Sequence, residues 1–141
     1  MGAFLFLLLF LVLDVGINLL TKNTVKFLGF DFLFFASWLA GVKYGLWPAI
    51  LISLLLLAEH TIFFLGKGRF ILLSFPAQLI AVLMGHYLGV GYFTISLVAY
   101  QVANLSLMML VNAFGPGFVL FLAFNTIFNL ILFRVYSLFS G

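Results

Sequence analysis

The sequence has no cysteine, which excludes a disulfide framework and any thiolate nucleophile or ligand. Charge is scarce as well: three Asp or Glu and six Lys or Arg make up 6% of the 141 residues, for a formal net charge of +3. So few bases leave no electrostatic footprint for nucleic acid, and that class of partner is excluded. Histidine occurs only at His60 and His86, with no clustered ligand set around either, so neither a metal site nor a cofactor is expected. No stretch has the polarity of a soluble appendage or a disordered tail. His-Glu-x-x-His, Gly-x-Ser-x-Gly and phosphate-binding glycine loops are missing too, and nothing in the chain argues for an enzyme.

What the chain does contain is hydrocarbon. Hydrophobic residues make up 67%, with 20 Phe, and the mean hydropathy is +1.38. Soluble domains average about 45–50% apolar and about 25% charged. This composition is that of an integral membrane protein folded as one domain over residues 1–141. Runs such as LLLFLVL and LISLLLLA do not alternate apolar with polar, as the strands of a membrane barrel must, so the spans are helices.

A helix needs about 17–25 apolar residues to cross the bilayer core. By that measure the chain reads as a compact all-α bundle of about six transmembrane helices, near residues 3–20, 28–43, 46–65, 70–87, 92–113 and 118–139. The punctuation is TKNTVK after the first, the hinge of GVKYG after the second, GKGR (66–69) after the third, LGVG (88–91) after the fourth and FGPG (114–117) after the fifth. Pro48 falls in a first turn, where its missing N–H is harmless, and Pro76 predicts a kink. The first apolar segment carries Asp14 and Asn18 and no small-residue cleavage site, so it is expected to stay as a helix rather than act as a signal peptide. Myristoylation at Gly2 is not expected, because Phe6 stands where that motif needs Ser or Thr.

Polar side chains inside such spans are costly and are functional candidates. Asp14 and Asn18 share a helix face at a spacing of four, and Glu59 and His60 lie in the corresponding half of the third span. Gln101, Asn104, Met108 and Asn112 recur at steps of three and four on the fifth span, as Asn125 and Asn129 do on the sixth; Gln78 sits mid-way along the fourth. Most of these groups favour the half of the membrane bounded by the loops at 21–27, 66–69 and 114–117. The expected site is therefore a pocket of Asp14, Glu59, His60, Asn104, Met108, Asn112, Asn125 and Asn129. The structural alternative is interhelical glue, worth about 0.6 kcal/mol per hydrogen bond on average. The carboxylates could equally sit in ion pairs with the loop bases Lys22, Lys26, Lys67 and Arg69.

Six short helices, the glycine-bounded GVKYG connection, the GFDF segment before it and Asn-bearing final helices together resemble the substrate-binding (S) components of energy-coupling-factor vitamin transporters. The related membrane proteins of the bacterial rod-shape system are similar in the same respects. The resemblance implies a multi-pass protein of the cell membrane with cytoplasmic termini and a small-molecule solute bound in the outer half. It further implies a transmembrane coupling subunit and ATPase subunits supplied by other chains, with lipid around the bundle. The loop bases point the other way, since four of the six lie on the side that this orientation makes external, against the positive-inside rule. The first helix also lacks the small-xxx-small docking pattern of that family. A non-catalytic membrane scaffold, and a proton-coupled carrier using Asp14 or Glu59, are the alternative functions.

Overall fold

The computed structural model describes residues 2–24, 29–64 and 68–141. Among these residues the chain is all-α. Its elements are α1 (Ala3–Thr24), α2 (Leu33–Tyr44), α3 (Leu46–Phe63), α4 (Gly68–Leu73), α5 (Phe75–Leu88), a 3-10 turn (Val90–Tyr92), α6 (Phe93–Leu110) and α7 (Pro116–Ser140). With α4 and α5 counted as one bent helix, they form a bundle of six helices. Five passes are long and apolar enough to cross a membrane: Ala3–Thr21, Leu46–Phe63, Ile71–Leu88, Val90–Leu110 and Pro116–Ser140. In hydrocarbon each backbone N–H must find a partner within the protein, and long apolar helices satisfy that condition.

The second pass is the exception. Helix α2 has 12 residues, about 18 Å at 1.5 Å per residue, well short of a 30 Å core. The four residues before it, GFDF (29–32), are not helical, although the reading of residues 28–43 makes them part of a continuous span. Asp31 ends the helix in this direction by accepting the Leu33 N–H with Oδ1 at 3.1 Å. Asp14 Oδ1 accepts the Phe32 N–H at 3.0 Å. Two carboxylates thus receive donors that have no intrahelical partner at a helix start. Non-helical backbone at this depth is tolerated only inside protein. Gly29 and Asp31 are buried, and Phe30 and Phe32 pack on α7 through Phe124 and Phe128, with ring centroids 5.4–5.6 Å apart.

The remaining breaks follow the local chemistry. Gly45 alone joins α2 to α3, at φ +82°, a conformation that glycine adopts without strain. Ser74 separates α4 from α5, and Pro76 stands in the first turn of α5, so the kink expected at Pro76 is a break just before it. Arg69, expected in a loop, belongs to the short helix α4, and Pro116 and Gly117, expected outside the last span, open α7. Lys26 and Lys67, and the side chain of Lys22, lie outside the described residues.

The core has two textures. Between α2 and α5 the surfaces are small: Ala36, Ser37, Ala40 and Gly41 face Ala77, Ala81 and Gly85, all buried. A methyl group on Gly41 would strike the Val82 carbonyl, and one on Gly85 the Trp38 carbonyl, so the two backbones are in direct contact. Steps of four between small residues allow this close approach. Elsewhere the core is aromatic. Phe34, Phe35, Trp38, Phe93, Tyr100 and Phe133 interlock, and Phe93 stacks on Phe133 at 4.0 Å with the rings 5° from parallel. Helix α7 reverses the pattern of a soluble helix. Its two fully buried residues are Asn125 and Asn129, while Val119, Leu120, Ile127, Leu130, Ile131 and Val135 face outward.

Candidate functional site

Among the described residues three polar groups lie inside this apolar bundle, and the first spans α1 and α3. Asp14 and Asn18 share a face of α1, and parallel packing brings that face against the last two turns of α3, which carry Glu59 and His60. Asp14, Asn18 and His60 are buried at 0%, 1% and 6% exposure, and Glu59 is half-buried. Asn18 Nδ2 donates to Asp14 Oδ2 at 3.1 Å and to Glu59 Oε1 at 3.3 Å, and lies 3.2 Å from His60 Nδ1. His60 Nδ1 is also 3.4 Å from Asp14 Oδ2. Two carboxyl groups, an imidazole and an amide therefore converge, and the donor atoms of Asp14, Glu59 and His60 all lie within 4.8 Å of one another. The group is not self-sufficient, because Asn18 Oδ1 and Glu59 Oε2 are buried without a hydrogen-bond partner among the described residues. Such unpaired buried atoms are costly and rare in native proteins.

The second group binds α7 to the interrupted segment. Asn125 Nδ2 donates to the Gly29 carbonyl at 3.1 Å and to Asp31 Oδ2 at 3.3 Å. Its Oδ1 accepts from Gln101 Nε2 at 2.8 Å and from Asn129 Nδ2 at 3.1 Å. Gln101 also donates to Thr126 Oγ1 at 3.1 Å. Every polar atom of the central Asn125 side chain is thus bonded, and only the outer oxygens of Gln101 and Asn129 are not. Gly29 makes this possible: a side chain there would press on the Phe124 Cβ and the Phe121 carbonyl at 3.1 and 3.2 Å. The two groups meet at GFDF, where Phe32 bonds to Asp14 and Asp31 to Asn125. Asp31 is also within electrostatic range of His60 and Asp14. The third group is smaller. Gln78 Nε2 donates to the Tyr100 hydroxyl at 3.0 Å, with Asn104 one turn further along α6 and its Nδ2 unpartnered.

The eight expected site residues are thus divided. Asp14, Glu59 and His60 come together, and Asn18 joins them. Asn125 and Asn129 bond to each other beside Asp31, and Asn104 and Met108 are buried on α6. Asn112 is displaced from the helical stripe expected for it. Helix α6 ends at Leu110, and Asn112 takes φ +54° in the turn beyond. There the Ala113 N–H reaches the Met108 carbonyl at 2.8 Å and the Asn112 N–H the Met109 carbonyl at 3.2 Å. This is a Schellman stop, with Asn in the left-handed position that usually takes Gly. Asn112 lines an open cleft of about 320 Å³ with Arg69, Leu73, Val111 and Ala113.

The expected site omits Asp31, although one signal points to it: an acid inside an apolar run, two positions after a glycine. The gathering of Asp14, Glu59 and His60 is hidden in the sequence because 45 positions separate Asp14 from Glu59. No family model matches the chain, and no curated protein or solved structure matches it.

Proposed function

We propose that this membrane protein is a small-solute-binding subunit of a multi-subunit transporter, with the Asp14–Asn18–Glu59–His60 group as the core of its binding site. One observation carries the reading. All three carboxylates of the chain, Asp14, Asp31 and Glu59, gather with His60 in the interior, and among the described residues Asn18 Oδ1 and Glu59 Oε2 have no hydrogen-bond partner. A membrane protein bears the cost of buried ionisable groups where a solute or an ion uses them. The interrupted second pass supports the same reading, because broken helices in transporters present backbone and side-chain polar groups near mid-membrane. The chain carries no nucleotide-binding motif, so energy coupling falls to other chains, in the cell membrane, with this chain's termini cytoplasmic.

Native mass spectrometry of the detergent-solubilised protein, purified from the membranes in which it is made, tests the reading whatever the solute is. A bound ion or small molecule is expected in the wild type and lost in the Asp14→Asn, Glu59→Gln double variant. An identical spectrum for both forms would remove the site. Alkaline phosphatase fused after Gly141 tests the orientation: an inactive fusion fits cytoplasmic termini, and an active one reverses them.

A scaffold role has its own support in the Gln101–Asn125–Asn129 net, which holds α6, α7 and GFDF together. In that reading the polar interior is glue, and the double variant loses stability rather than a ligand.

A further inference from the structure

We propose that Asp14, Asn18, Glu59 and His60 bind one divalent transition-metal cation of the manganese or zinc class. The inference rests on the reading of this group as the solute site, and it names what the site takes.

Geometry comes first. A first-row cation binds carboxylate oxygen and imidazole nitrogen at about 2.0–2.2 Å, which holds the ligand atoms about 3–4.4 Å apart. The Asp14 Oδ2 to His60 Nδ1 separation is 3.4 Å. The full Asp14, Glu59 and His60 set spans no more than 4.8 Å, so small side-chain rotations close it. Two rigid elements carry the ligands, since Asp14 and Asn18 are one turn apart on α1 and Glu59 and His60 are adjacent on α3.

Asn18 supplies the independent observation. Its Nδ2 has two hydrogens but faces three atoms, Asp14 Oδ2, Glu59 Oε1 and His60 Nδ1, at 3.1, 3.3 and 3.2 Å. Its Oδ1 is buried without a hydrogen-bond partner among the described residues, on a residue that is 1% exposed. The two ends of an amide are interchangeable in shape. Turned around, the same side chain points its oxygen at the other three donors and completes a set of three oxygens and one nitrogen. Two of the three contacts use the two N–H groups and the third does not; with a cation at the centre, the same side chain serves through its oxygen as a fourth ligand.

Charge balance agrees. Ionised Asp14 and Glu59 with neutral His60 and Asn18 sum to −2, which one divalent cation cancels in a region where uncompensated charge is expensive; Asp31 lies outside this ligand set, held by the Leu33 N–H and Asn125 Nδ2. Imidazole beside carboxylate favours manganese, iron, cobalt or zinc over magnesium, which prefers all-oxygen shells and keeps its waters. His60 Nδ1 is the contacting nitrogen, so Nε2 is left to carry the ring's proton.

The test uses the full chain in detergent micelles, stripped with a chelator and titrated calorimetrically with ZnCl2, MnCl2 and MgCl2 separately. One equivalent of zinc or manganese is expected per chain, at least tenfold tighter than magnesium. Proton release should show as a dependence on the buffer's ionisation enthalpy, because ligands that share protons must give them up. His60→Ala and Asn18→Leu should each weaken binding by tenfold or more, with helicity and elution volume unchanged. His86→Ala, outside the group, should bind like the wild type. Binding that the His60 and Asn18 variants leave intact would overturn the site, as would a folded wild-type protein with no preference over magnesium. If metal binding fails while a non-metal adduct is still lost in the Asp14→Asn, Glu59→Gln variant, the metal assignment falls and the solute site stands.

Discussion

Asn125 joins three parts of the chain through one amide: Gly29 and Asp31 of the interrupted pass, Gln101 of α6, and Asn129 on its own helix. A single interhelical hydrogen bond in a membrane averages about 0.6 kcal/mol, which alone would make the residue dispensable. Losing the amide, however, leaves a backbone carbonyl and a carboxylate oxygen buried together without their donor, at about 1–3 kcal/mol for each stranded group. Asn125→Leu is therefore expected to lower stability in micelles by about 2–4 kcal/mol, measured by denaturant unfolding. Unchanged stability would mean that GFDF is held by its phenylalanines alone. The asparagines also show what spacing reveals and what it hides. Steps of four place Asn125 and Asn129 together on a buried face, as the structure has them, but the same rule puts Asn112 on a helix that ends two residues earlier. Asn at a helix end and Asn on a polar face look alike in sequence, because the residue suits both the left-handed position and hydrogen bonding.

At the scale of elements, the pair α2 and α5 is the tightest joint. Apolar surface gives helices no net drive to associate in lipid, so closeness of the backbones and dispersion contacts must supply it. Gly41 and Gly85 permit that closeness, each facing a carbonyl of the other helix. Gly85→Val is expected to cost more than about 3 kcal/mol, at or above the usual range for overpacking, because the obstructing atoms are backbone and cannot turn aside. A thermal-unfolding series in detergent would show the loss, and a Gly85→Val protein as stable as the wild type would mean that the helices stand further apart than described. Hydropathy makes the long helices easy to find: α1, α3 and α7 are each close to the expected span. It does not find the break before α2, since GFDF is as apolar as its surroundings apart from one acid. Asp31 ends that helix together with a hydrogen bond from the Phe32 N–H to Asp14, 18 positions earlier, and tertiary pairing of the second kind leaves no trace in local composition.

The whole molecule combines two kinds of interior. One holds the bundle together: the small-residue joint, the aromatic stack and the Gln101–Asn125–Asn129 net. The other, between α1 and α3, is rich in groups that carry charge, and Asn18 Oδ1 and Glu59 Oε2 there have no hydrogen-bond partner among the described residues. The all-α membrane class is legible in the sequence, because it follows from composition and helical period. Which polar residues meet is not, since the meeting depends on the packing of α1 against α3 and on the entry of GFDF beside them. The central claim is that the α1–α3 group serves a ligand and does not hold the fold. Denaturant unfolding of chelator-stripped wild type and Glu59→Gln, side by side in the same detergent, tests it most directly. A site kept for a ligand predicts that Glu59→Gln is within about 1 kcal/mol of the wild type or more stable, because the amide keeps an oxygen to accept from Asn18 Nδ2 and the substitution removes an ionisable group from the interior. A loss of about 3–5 kcal/mol, the cost of breaking a buried structural ion pair, would contradict the account.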